Sequence, residues 1–249
     1  MAGNNRTGIV LQQRDLRLLE ALETMRVIDR EQAKVVAGFR STTRANVRLL
    51  ALTKAGFLRR AFLGSNQAVY WLANRELQRL RKRGETAPEP AALFLRHRLE
   101  INRLQLLVQY TGIPAAQCWF GRWQNFQQPL SDSLPLIPDG YFEINSSQGI
   151  RSSFVEIDLG TEAIPVFAKK ASLYLQLATS GDFPKLFSRA QFRVLVVTTS
   201  ASRLNNLRAV VAKLTDKIFW FTTRESLATE RFWSAAWLRP SGDQRQTLL

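Results

Sequence analysis

Soft metal ligands are almost absent from this chain. Its 249 residues include one cysteine, Cys118, and one histidine, His97. A single thiol cannot close an internal disulfide, which fits a reducing cytoplasm, and one Cys with one His gives no ligand set for zinc. Acidic residues are also scarce: 20 Asp and Glu stand against 35 Lys and Arg, for a formal net charge of +15. A protein this basic is expected to meet a polyanion, and nucleic acid is the first candidate. An anionic membrane surface is the alternative, but no basic amphipathic anchor or lipidation motif supports it. The opening MAGNNRTGIVLQQR has no apolar signal core. No apolar run approaches bilayer length. The absence of a G-x-x-x-x-G-K-[ST] loop argues against ATP hydrolysis. The absence of a G-x-S-x-G elbow argues against a serine hydrolase. Without a histidine cluster, a relaxase that links tyrosine to DNA is also disfavoured.

What is present is ample for a packed core, at 45% hydrophobic residues. From Asp15, read as an N-cap, Leu16, Leu18, Leu19, Leu22 and Met25 repeat with helical spacing. Asp29 opens a second short helix that Gly38 breaks. Ser41 caps a third, Thr42 to Ala55, closed by Gly56. Two strands, Phe57 to Leu63 and Gln67 to Leu72, flank a Gly64-Ser65-Asn66 turn. Three helices followed by a hairpin is the order of a winged helix–turn–helix. On the third helix Val47, Leu50 and Ala51 are expected to face inward, leaving Thr43, Arg44 and Arg48 for DNA. Arg59 and Arg60 in the wing are expected to follow the backbone. Residues 1–90 carry 17 Lys and Arg against 8 Asp and Glu, and the remainder 18 against 12. The charge is thus denser at the N-terminal end. The organisation read here is a winged helix over 1–83, including a basic helix at 75–83, a linker at 84–90 and a second domain over 91–249.

The second domain opens with a long helix over 91–109. His97 on it is read as structural, and Glu100 as a possible extra acid. A strand at Trp119 to Trp123 follows, then a polar loop, then a hairpin. Residues 163–178 carry an apolar helical stripe of Ile164, Phe167, Ala171, Leu175 and Ala178, with Lys170 and Tyr174 one turn apart. A loop at Gly181 to Pro184 leads to Phe192–Thr199, a β-branched run suited to a strand buried on both faces. A helix (Leu204 to Leu214) and a strand (Lys217 to Thr222) end the pattern. The fold class is α/β (α+β), with helices covering a central mixed sheet.

The hairpin concentrates the acids. Side chains alternate along a strand, so Glu156 and Asp158 share a face. A loop at Ser147–Gln148 sets Asp139 opposite Glu156, and one at Gln148–Gly149 sets it opposite Asp158. Opposed side chains lie roughly 4.5–5.5 Å apart. Three carboxylates this close repel unless a cation joins them, and hard oxygen ligands suit Mg²⁺ or Mn²⁺. Glu162, at a helix start, is as well explained by the helix dipole as by ligation.

Pro138 and Asp139, then Glu156, Ile157 and Asp158, then Lys170 and Tyr174, resemble the PD-(D/E)xK nuclease superfamily. The whole chain more closely resembles the bacterial replication-relaxation family, through HRLEIN at 97–102, PDGYF at 138–142, EIDLGTE at 156–162, KASLY at 170–174 and FRVLVVTTS at 192–200. The resemblance implies a winged helix–turn–helix followed by a restriction-endonuclease-like domain. It implies a link to plasmid replication or DNA relaxation, with double-stranded DNA as partner and replication, relaxation or transposition proteins nearby. A homodimer is the default for winged-helix proteins. Carried over by position, Asp139 and Glu156 hold the metal with the Ile157 carbonyl. The chain departs from the superfamily where its lysine is expected, since Asp158 stands there. Either Lys170 supplies the ammonium from the helix, with Tyr174 positioning it or a phosphate, or the site does not cut. Metal-dependent cleavage of DNA and non-cleaving DNA binding are therefore both carried forward.

Overall fold

The computed structural model describes residues 8–73, 90–230 and 232–249. The basic helix read at 75–83 and all but the last residue of the linker read at 84–90 lie outside the described residues. The chain divides into two compact units, Met1–Leu106 and Leu107–Leu249. Among the described residues no helix is long and apolar enough to cross a membrane.

The first unit runs α1 (Gln13–Met25), β1 (Ile28–Asp29), α2 (Arg30–Ala37), α3 (Thr42–Lys54), β2 (Leu58–Leu63), β3 (Gln67–Leu72) and the start of α4 (Ala92–Tyr110). The strands form a small sheet of order β1-β3-β2. This is the element order read from the sequence, with β1 added. The caps follow from local chemistry. Asp29 accepts from the Gln32 N–H at 2.9 Å, and Ser41 from the Arg44 N–H at 3.3 Å. Asp15 is not the cap of α1, however. Gln12 is, and Asp15 sits in the first turn, where its carboxylate accepts the Gln12 N–H at 2.6 Å. The inward face of α3 also differs from expectation. Ala45, Leu49 and Leu52 are buried, whereas Val47 is 64% and Leu50 37% exposed. Either set fits a helical repeat, and the partners contributed by α1 and α2 decide between them. Although the sequence reading gives α4 to the second domain, its first part packs here. Leu95 and Leu99 join Val27, Val69 and Trp71 in one apolar cluster. Asn102 donates to the Met25 carbonyl at 3.1 Å and also to that of Val27 at 2.5 Å, and Gln32 donates to Leu99 O at 2.7 Å.

The second unit holds a five-stranded mixed sheet, β4 (Cys118–Gln124), β5 (Gly140–Ser146), β6 (Gly149–Asp158), β7 (Phe192–Thr198) and β8 (Phe219–Thr223), in that order across the sheet. The β4, β5 and β6 strands are antiparallel, while β6, β7 and β8 are parallel. Helices α5 (Ile164–Thr179), α6 (Asp182–Phe187) and α7 (Ala201–Ala212) connect them, and α8 (Arg224–Glu230) follows β8. The α6 helix occupies the stretch read as a loop, and Phe183 and Phe187 anchor it in the core. Tyr141, Phe154, Val194, Val196, Phe219 and Phe221 pack on one sheet face against Phe167, Ala171, Tyr174 and Leu177 of α5. The expected stripe on α5 therefore holds at Ile164, Phe167 and Ala171 but turns to Tyr174 and Leu177 afterwards. Gly140 permits a close approach at the start of β5, since a Cβ there meets the Trp123 ring at 2.7 Å.

Candidate functional site

The hairpin register decides which acids meet. Ser146 pairs with Gly149 and Gly140 with Val155, so the loop is Ser147–Gln148 and Asp139 falls across from Glu156. Asp139 is half-buried and accepts the Ile157 N–H at 2.7 Å. Glu156 is 3% exposed. One of its oxygens accepts from Lys170 Nζ and the other from the Tyr174 hydroxyl. Both donors come from the inner side of α5, one turn apart, as the spacing predicts. Lys170 keeps 24% of its side chain exposed, so the cluster lies close to the surface at that residue.

Electrostatics distinguish this cluster. Two carboxylates face one ammonium. Burial pushes the Glu156 carboxyl up to about 7, with the Asp139 charge adding to the effect against the pull of Lys170. Burial alone lowers Lys170, but the charges of Glu156 and Asp139 outweigh it and hold the ammonium above its usual range. Burial, then the Glu156 charge, raises Tyr174 well above the ordinary phenol. Lys170 therefore stays charged, and Glu156 gains or loses a proton near neutrality.

Asp158 is drawn elsewhere. Its two oxygens receive Arg203 Nε at 2.8 Å and Nη2 at 2.7 Å, a fork from the first turn of α7. The Gly160 N–H adds a contact at 2.8 Å, and Arg203 also reaches the Glu162 carbonyl at 2.6 Å. The exposed Glu162 side chain lies outside this fork. Among the described residues no group of three or more His, Cys, Asp or Glu is placed to hold a metal ion. The structure thus brings Asp139, Glu156, Lys170 and Tyr174 together and gives Asp158 to a guanidinium. The two carboxylates left are hard oxygen donors. Donors of this kind suit Mg²⁺ or Mn²⁺, which take one or two carboxylates and complete their shell with water and phosphate, while here both Glu156 oxygens and one of Asp139 accept from Lys170, Tyr174 and the Ile157 N–H. Ile157, whose carbonyl the resemblance offers as a further ligand, lies beside Asp139 through its N–H.

The DNA candidates of the first unit fare unequally. Thr43 and Arg44 are exposed on α3. Arg48 is turned inward: Nε donates to Asp15 at 2.9 Å, Nη2 to its other oxygen, and Nη2 to the Val10 carbonyl at 2.7 Å. Arg59 lies over the Trp71 ring at 5.6 Å, on the face covered by α4, while Arg60 is exposed over Phe62 at 5.0 Å.

Two features escaped the sequence reading. Arg203 lies 45 residues from Asp158, and no local signal links them. Glu143 was legible, because it follows Asp139 and Tyr141 on the same alternating face. It is buried, accepting from Tyr141 at 2.6 Å, Arg122 at 2.9 Å and Arg189 at 3.0 Å. Burial alone raises its carboxyl, but these donors hold it below the usual range.

The chain is mixed α/β, with one three-stranded and one five-stranded sheet. The replication-relaxation family model matches residues 16–188, and the chain belongs to that family. The match takes in Asp139 through Tyr174 and ends before Arg203. No curated protein and no solved structure gives a significant match.

Proposed function

We propose that the chain is a DNA-binding protein of plasmid or mobile-element replication and relaxation, and that its second unit nicks or cleaves double-stranded DNA with Mg²⁺ or Mn²⁺. The observation that carries this reading is the contact of Lys170 with Glu156, across from Asp139. That contact supports the reading in which Lys170 supplies, from α5, the charge that a strand lysine would otherwise bring. Asp139 and Glu156 are the residues to hold the cation, which when bound polarises a phosphoryl oxygen and favours hydroxide at neutral pH. Lys170 orients the attacking water and offsets charge on the phosphate. Tyr174 fixes the Glu156 carboxylate, and Arg203 pins the segment from Asp158 to Glu162 behind it. Of the candidate DNA contacts in the first unit, Thr43, Arg44 and Arg60 are exposed, Arg44 and Arg60 suited to phosphate or a guanine edge.

A second reading, DNA binding without cleavage, draws on the same geometry. Both oxygens of Glu156 and both of Asp158 already have protein donors, so the acids can serve as scaffold. Incubating supercoiled plasmid with Mg²⁺ or Mn²⁺ separates the two. Nicking by the parent chain and none by Glu156→Ala supports the nuclease. Salt-sensitive binding with intact plasmid in both supports the regulator. Absence of salt-sensitive binding removes both readings.

A further inference from the structure

The sheet face turned away from Glu156 carries a second concentration of charge. Arg193 pairs with Ser153, and Trp220 with Leu195. Strand alternation therefore sets Arg151 of β6, Arg193 of β7 and Trp220 of β8 on one face. Arg239, from the segment after α8, joins them. The guanidinium carbon of Arg193 lies 4.9 Å from the centre of the Trp220 ring, and that of Arg239 lies 4.6 Å from it.

The acceptors these arginines use are neutral. Arg193 donates to the Leu248 carbonyl at 2.7 Å and Arg151 to the same oxygen at 3.3 Å. Arg239 donates to the carbonyl of Asp216 at 2.6 Å and to that of Lys217. Among the described residues none of the three has a carboxylate within ion-pair distance. The exposed Asp216 acts on Arg239 only from farther away. Burial, then repulsion from Arg151 and Arg239, draws Arg193 below its usual range. Trp220 is 8% exposed, and its indole N–H is buried without an acceptor. Several other inward arginines meet acids: Arg48 with Asp15, Arg203 with Asp158 and Arg189 with Glu143. Here like charges are gathered and partly desolvated, which is unfavourable until an anion joins them.

We propose that Arg151, Arg193 and Arg239, gathered around Trp220, form a phosphate-binding site on the sheet face opposite the carboxylates. Guanidinium edges match the oxygens of a phosphate, and each group has N–H donors beyond those named. With two guanidinium groups already on its ring, Trp220 holds them in place and leaves little room to stack a base. The ligand is thus an oxyanion, either a phosphodiester of nucleic acid or free phosphate. Arg193, Trp220 and Arg239 lie beyond the span matched by the family model.

Calorimetric titration of the full chain with inorganic phosphate at fixed ionic strength tests the site. Saturable binding is expected, weakened at least tenfold in Arg151→Gln/Arg193→Gln and unchanged in Arg17→Gln, an exposed arginine on α1. A second arm follows the anisotropy of a labelled 12-nucleotide oligothymidine against salt. If the ligand is a nucleic-acid phosphate, the double variant lowers the slope of log K against log salt by about 1–2. An unchanged slope with phosphate binding lost identifies free phosphate as the ligand. No saturable phosphate binding by the parent chain, or equal binding by the double variant, overturns the proposal. If circular dichroism shows the double variant unfolded, Arg151→Gln alone carries the test, with a threefold loss as the threshold. Plasmid nicking is scored separately, so this site and the carboxylate site can fail independently.

Discussion

Asp15 in the first unit and Glu156 in the second are both buried carboxylates with a cation against them, yet their surroundings differ. Asp15 accepts the Arg48 fork and a backbone N–H, and among the described residues no second acid pairs with Arg48. Burial alone raises its carboxyl, but the Arg48 fork and the Gln12 N–H hold it below the ordinary range. Glu156 shares Lys170 with Asp139, and its carboxyl moves the other way. A balanced pair ties elements together. An unbalanced one keeps a proton or a cation in play near neutral pH, which is what chemistry on a phosphate needs.

The sharpest way to break this comparison is to remove Lys170. Lys170→Met is expected to lower metal-dependent plasmid nicking at least ~100-fold while leaving DNA affinity intact by gel shift. Retained nicking assigns Lys170 to structure, like Arg48. The counterpart is Asp15→Ala, which strands a partly buried guanidinium. It is expected to lower stability by about 3–5 kcal/mol in urea denaturation, and a change under about 1 kcal/mol removes the structural role.

The third prediction concerns pH. The folded-state value of Glu156, about 7, lies above its ordinary 4.5. The native state therefore holds more protons than the unfolded chain between those values, so this group's contribution falls as pH rises through the window. Urea midpoints compared at pH 5 and pH 8 should show a decline on the order of 1–3 kcal/mol from this group, flattened in Glu156→Gln. An identical pH dependence in that variant contradicts the shared-ammonium picture. Ser41→Ala is a milder change on stability, about 1 kcal/mol for the lost cap of α3. On the same helix Arg44→Gln should lower the salt slope of DNA binding by about 1 with little change in stability, whereas Arg48→Gln should mainly destabilise.

The sequence showed most where order is local. The turn residues allow only two loops, one of them Ser147–Gln148, and strand alternation then aligns Asp139 with Glu156. The one-turn spacing of Lys170 and Tyr174 put both on one side of α5. Long-range partners were not legible. Arg48 looked available because Asp15 lies 33 residues earlier and passed for a cap. Asp158 looked like a metal ligand because Arg203 follows only after a helix and two further elements. The inward face of α3 was misjudged because helical spacing permits several stripes and the neighbouring helices choose one.

The early part of α4 bears on how the first unit can be isolated. Leu95 and Leu99 cover Val27, Val69 and Trp71, and Asn102 captures the carbonyls ending α1 and leading into β1. A fragment stopping before Ala92 strips that cover, removes the Asn102 donor from those carbonyls and is expected to clump. One carried past Leu106 retains its own roof and is the better starting piece for studying DNA contact alone.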